Sequence, residues 1–220
     1  MAVRDSTDLK PPGRRRRRRP HARHHATETT RIEILKNAAA AFRRLGYHGA
    51  SVEEIAAALR MKKGNLYYYF RNKEEILFAC HQYSLDKLLA MLEEIDSSGL
   101  TPEDKARRLI VGSVHLILDE LHGTALFLDL EALSPAHLKA IIARRDRFDH
   151  GVRRLLREGT ESGTFEAADV KLVSFALLGA INWIPRWFNP DGPSSSQEIA
   201  ERFADYLIAG LRPRAVPRPL

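Results

Sequence analysis

At 220 residues, 44% of them hydrophobic, the chain is long enough to bury a substantial core, and its single cysteine, Cys80, excludes an internal disulfide. No run approaches the roughly 18 uninterrupted apolar residues of a membrane span, and no apolar segment follows the N-terminal arginines as an export signal requires, so a soluble cytoplasmic chain is expected. The formal charge of +7 is polarised: residues 1–25 carry nine Lys/Arg against two acids, residues 26–75 nine against six, and residues 76–220 seventeen against twenty, which suits one end to a polyanion.

Residues 1–26, with the run Arg14 to Arg19, have almost no apolar anchors and are expected to form a disordered arm. Thr30 and Glu33 have capping-box spacing and lead into Ile32, Leu35, Ala39 and Phe42, a helix that Gly46 and Gly49 close. Ser51 caps a second short helix with Val52, Ile55, Ala56 and Leu59 on one face. A third runs from about Lys63 to Tyr69, and Asn72-Lys73-Glu74-Glu75 opens a long fourth to about Ile95. Thr101-Pro102 starts a helix to about Leu121, Gly123-Thr124 the next, Ser134-Pro135 one of some 25 residues, Asp169 one through Trp187, and Ser195 the last, to Leu211. The pattern predicts an all-α fold of about nine helices: a helix-turn-helix domain over residues 27–75, a second helical domain over 76–211, and a loose tail over 212–220.

Two short helices joined by a tight turn can set the second of them in a major groove. Leu66 and Phe70 share the inward face of the third helix, which turns Asn65, Tyr67 and Tyr68 outward. With Lys62-Lys63-Gly64 ahead of them, these residues supply amide and ammonium donors for base edges and phenols for phosphates. Tyr69 leans toward the Leu66 face and suits packing equally well. The arginine arm either adds sequence-independent DNA affinity or is a solvated tail.

Over residues 30–77 the chain resembles the tetracycline-repressor (TetR) family of bacterial regulators. The first helix ends in a phenylalanine spaced before Gly46-Tyr47, the second reads Ser51-Val52-Glu53-Glu54-Ile55-Ala56, and the third continues Lys63-Gly64-Asn65-Leu66-Tyr67-Tyr68-Tyr69-Phe70 into Asn72-Lys73-Glu74-Glu75. The resemblance implies base reading by Lys63 and Asn65, phosphate contacts from Ser51, Tyr67, Tyr68 and Lys73, and a groove bordered by Lys62 and Gly64. The family's usual histidine is replaced here by Tyr69. The partners implied are a palindromic DNA operator, a small-molecule effector and a second copy of the chain.

The resemblance further implies a dimer face on the last two helices. There Phe175, Gly179, Trp183 and Trp187, with Ile199, Phe203, Tyr206 and Leu207, form apolar stripes suited to a two-fold four-helix bundle. Asn182 to Pro193 resembles a subgroup associated with lipid or steroid degradation, some of whose members sense acyl-coenzyme A thioesters, which implies an elongated, partly apolar effector. Candidate pocket residues are Phe78, Leu88, His115, Leu118, His122, Phe127, Phe148 and Leu156, with Arg144 and Arg145 for a phosphate or carboxylate.

His115 and His122 lie seven apart, outside the spacing of a helical metal site. No nucleophile with its base, phosphate-cradling glycine loop or metal cluster is present in the sequence, so neither an enzyme nor a cofactor is expected. Two readings remain: a repressor released by its effector, and a constitutive or architectural DNA binder driven by the basic arm.

Overall fold

The computed structural model describes residues 20–120, 129–166 and 169–213. Arg14 to Arg19, His122, Phe127, the helix predicted at Gly123 and the end of the tail lie outside the described residues. Among the described residues there are eight α-helices and no strand.

Helix α1 (Pro20–Gly49) begins ten residues before the predicted cap at Thr30. No glycine or proline follows Pro20 until Gly46, so nothing breaks the helix, and Thr30 lies in its interior. Gly46 breaks the helical dihedrals at φ 71, ψ 164, a backbone conformation that L side chains rarely adopt.

Helix α2 (Val52–Ala58) carries the predicted capping box: Ser51 Oγ accepts from Glu54 N–H at 3.1 Å, and Glu54 Oε2 accepts from Ser51 N–H at 2.7 Å. Helix α3 (Lys63–Tyr69) follows after a tight turn, and Asn72 Oδ1 caps α4 (Lys73–Asp96) through Glu75 N–H at 2.8 Å. Ile34, Phe42, Ile55, Leu66, Phe70 and Leu77, all buried, bind these helices into one head. Cys80 is buried at its edge, where removal from water pushes the thiol pKa up to about 12.

The turn places Arg60 at φ 53, a left-handed conformation that costs an L-residue about 1–2 kcal/mol. Arg60→Gly should therefore stabilise the chain by about 1 kcal/mol, after allowance for glycine's greater freedom when unfolded. Denaturant melts check this: the midpoint rises with an unchanged slope, and a midpoint that falls refutes it.

Helix α4 runs out of the head into the second domain, where it packs on α6 (Pro135–Glu161) and α5 (Pro102–His115). A Cβ at Gly151 of α6 would collide with Leu92 of α4, so glycine sets the close approach. A row of ion pairs flanks that seam: Arg144 Nε–Asp86 Oδ1 at 3.1 Å, Arg147–Glu93 at 2.6 Å, and Arg154–Asp96.

Helix α5 widens after His115 into a π-turn, Leu116–Glu120; the predicted end at about Leu121 lies outside the described residues. Its most extensive packing is along α8 (Ser196–Leu211), where Ile199, Ala200, Ala204, Ile208 and Leu211 are buried. Ile199 thus belongs to the core, not to the predicted dimer stripe. Helix α7 (Val170–Trp183) stops before the predicted Trp187, because Pro185 lacks the N–H needed to continue and the chain tightens into a 3-10 turn, Ile184–Arg186. No helix among the described residues is long and apolar enough to cross a membrane.

Candidate nucleic-acid interface and effector cavity

Helix α3 is amphipathic within two turns. Leu66 is buried beneath it, while Lys63, Gly64, Asn65, Tyr67 and Tyr68 are exposed, Tyr68 by 79%. The exposed face is thus polar and aromatic, with ammonium, amide and phenol groups able to meet a partner. Tyr69 is half-buried and meets the Tyr68 ring edge-on at 5.2 Å, consistent with a packing role.

Three of the predicted contact residues are already engaged. Ser51 Oγ donates to Glu54 Oε2 at 2.9 Å, so the hydroxyl serves the cap of α2. Lys63 Nζ pairs with Glu53 and lies 5.7 Å from the Tyr67 ring centroid. Both partners are exposed, and such a pair holds the lysine only weakly against a phosphate or base. Lys73 departs from the expectation of a phosphate contact: Nζ donates to Tyr47 O at 2.8 Å and Ala50 O at 3.0 Å, over the Tyr47 ring at 4.3 Å. Its charge ties the end of α1 to the start of α4.

A second cluster joins this head to the helical domain behind it. Glu74 Oε1 accepts from Ser134 N–H at 2.8 Å and meets His137 Nδ1 at 2.7 Å, and His137 stacks on Phe78 with centroids 3.9 Å apart. Tyr47 N–H donates to Asp129 Oδ2 at 2.8 Å. Phe78 therefore belongs to this clasp.

Burial at the clasp pushes the Glu74 carboxyl up, but the bonds from Ser134 and His137 outweigh it and leave its pKa below the ordinary carboxylate value. A depressed carboxyl contributes stability that is complete above its unfolded pKa, about 4.3, and is lost as pH falls through the folded value. Thermal melts of the native chain and Glu74→Gln should thus be well separated above about pH 4.3 and draw together as pH falls below it. A gap that persists in acid would refute the role of the carboxylate charge.

Between α4, α5, α6 and α7 lies a cavity of about 410 Å³. Leu85 and Leu88 come from α4, Ser113 from α5 and Ile117 from the π-turn, a local widening often found at functional sites. Helix α6 gives Arg145, Asp146, Phe148 and Asp149, and α7 gives Phe175, Leu178, Gly179, Ile181 and Asn182. Burial lowers the Arg145 guanidinium pKa.

Of the predicted pocket residues, the structure brings Leu88, Arg145 and Phe148 together here. The others go elsewhere: His115 Nδ1 meets Asp119 Oδ2 at 2.8 Å one turn on, Leu118 and Leu156 are buried in the core, and Arg144 is in the α4–α6 row. The mixed helix faces marked burial without telling which neighbour each side chain would meet. Ser113 and Asn182, polar residues in apolar stretches, were the signal available for the residues missed. Among the described residues no cluster of three or more His, Cys, Asp or Glu could hold a metal ion.

The predicted dimer stripe is largely open to solvent. Phe175, Trp183, Trp187 and Tyr206 are exposed, Phe203 and Leu207 half-buried, and Trp187 stacks on Phe203 at 6.1 Å.

A helix-turn-helix head carried by a helical domain with an internal cavity defines the class of one-component transcriptional regulators. Comparison with known proteins makes this specific: "Bacterial regulatory proteins, tetR family" matches residues 34–80, and "Tetracyclin repressor-like, C-terminal domain" matches residues 99–211. The chain belongs to the TetR family. It is 27% identical over 191 residues to the HTH-type transcriptional repressor KstR2 of Mycobacterium tuberculosis, covering 84% of this chain and 94% of the relative. Among solved structures, the TetR family regulator PfmR of Thermus thermophilus superposes with a TM-score of 0.73 at 34% identity, over 82% of this chain and 99% of PfmR. AibR in complex with isovaleryl coenzyme A and operator DNA gives a TM-score of 0.65 at 28% identity, over 82% of this chain and 97% of AibR.

Proposed function

We propose that this chain is a cytoplasmic, non-enzymatic repressor that binds a palindromic operator as a homodimer and is released from it by a small-molecule effector. Lys63 and Asn65 read base edges, Tyr67 and Tyr68 hold phosphates, and Lys62 and Gly64 border the groove. Phe175, Gly179, Trp183, Trp187, Phe203, Tyr206 and Leu207 form the two-fold interface that spaces the two reading helices.

The observation that carries this reading is the clasp. Helix α6 lines the cavity with Arg145 and Phe148 and, roughly 12–16 Å along its axis, grips the first turn of α4 through His137. An effector that shifts α6 therefore bears on the helix that follows the reading head, and it shifts the population only by as much as it favours one arrangement over the other. An acyl-coenzyme A thioester is the effector class that the AibR complex supports by likeness.

The test is a titration of the full chain against its own upstream intergenic DNA and a scrambled duplex, at two salt concentrations, with and without a long-chain acyl-coenzyme A. Preferential binding that the thioester relieves supports the proposal. Equal, steeply salt-dependent binding that ignores the thioester overturns it in favour of a constitutive binder driven by the basic arm.

A further inference from the structure

Glu53 of α2 stands beside the reading helix, an acid where a polyanion is to bind. The other first-turn acid of α2, Glu54, serves the cap through Ser51, whereas Glu53 Oε1 accepts from Lys63 Nζ across the turn on α3. The Lys63 ammonium also lies 5.7 Å from the Tyr67 ring centroid, within reach of a cation–π contact. It is therefore held from two sides, by a carboxylate of the preceding helix and by a ring one turn along its own. The bond marks both partners, drawing the Glu53 carboxyl below its ordinary pKa and raising the Lys63 ammonium above its own.

Stability gains little from such a pair, because both side chains are about half exposed and solvent competes for each charge. Its effect on a polyanion is larger. An acid next to a DNA-facing cation opposes the charge attraction that binds any duplex. It leaves the donors in place: an ammonium has three N–H groups, Glu53 takes one, and two remain. A phosphate recognises the charge, which the carboxylate offsets. A base edge recognises the donors, which it spares.

We propose that Glu53 is a specificity-determining residue that acts through Lys63. It offsets the attraction of the ammonium to phosphates and leaves two donors for a base edge with adjacent acceptors, the pattern that guanine presents with O6 and N7 in the major groove. This rests on α3 being the reading helix, as proposed above, and adds what keeps its first cation from binding every sequence alike.

Glu53→Gln is the variant to test, because glutamine keeps the size and an acceptor oxygen and removes only the charge. The side chain is exposed and glutamine favours helices, so the fold is retained. Anisotropy titrations use the full chain, the upstream intergenic and scrambled duplexes, several salt concentrations and no effector. Affinity for the scrambled duplex should rise about three-fold, and its logarithmic plot against salt should steepen by about 0.9, the share of one phosphate. Affinity for the upstream duplex should rise less, so the preference narrows. In a Lys63→Gln chain, where no ammonium is left to redirect, the same change should shift both duplexes alike. The proposal is overturned if the scrambled-duplex plot keeps its slope, or if the preference narrows as much without Lys63 as with it. A native preference that Glu53→Gln leaves intact overturns this proposal alone, whereas a native chain that prefers neither duplex overturns the operator reading along with it.

Discussion

Trp183→Glu is expected to leave the chain folded and monomeric, with operator affinity lowered about 100-fold or more. The indole is 63% exposed, so within one copy it has little packing to lose. The other large residues of the proposed stripe, Phe175, Trp187 and Tyr206, are exposed as well, more than the scattered apolar residues normal on a surface. A carboxylate at the centre of that stripe has no partner once two copies meet, and an unpaired buried charge disfavours the pair. The affinity loss follows from valency: two linked half-site contacts gain roughly 10²–10⁴ over one. Sedimentation equilibrium reads the mass, and anisotropy with operator DNA reads the affinity. A dimer that persists with the glutamate in place would move the interface off α7.

Asn65→Ala should erode discrimination between operator and scrambled duplex by about 1–3 kcal/mol, the worth of one bidentate base contact, while affinity for the scrambled duplex barely changes. The side chain is exposed on a helix whose stability rests on Leu66 and Phe70, so the fold has little reason to respond. Tyr68→Phe is the contrast: loss of a phosphate contact weakens both duplexes alike. Parallel titrations of both variants on both duplexes check this. Unaltered discrimination by Asn65→Ala would remove that residue from the reading face.

The helix starts at Ser51, Asn72, Thr101, Ser134, Asp169 and Ser195 could be read in the sequence because a cap is a contact between residues two to four apart. The inward Leu66 and Phe70 followed from helical periodicity for the same reason. The left-handed Arg60 left no trace, since no glycine marks the turn. Lys73 shows why a long-range role is harder to see: sequence gives its charge but not the two carbonyls, from Tyr47 and Ala50, that take it up. The cavity was the least legible part. Its walls come from four helices whose mutual rotation depends on a close approach at Gly151 and a widened turn at Leu116, so Phe78, His115, Leu118 and Arg144 could not be told from Leu85, Ser113, Ile117 and Asn182.

The ion pairs that flank the α4–α6 seam give dissolved salt two places to act. Counter-ions compete for the protein's cations on DNA, and they also screen the exposed pair Arg147–Glu93 and, less strongly, the half-buried Arg144–Asp86 alongside the helix leading to the reading head. A logarithmic plot of operator affinity against salt therefore combines ion release at the phosphates with a softening of the seam. On the proposed mechanism, in which the effector shifts α6, the effector-loaded and empty proteins should give lines of different slope, so ionic strength would tune how far a given dose of effector opens the operator.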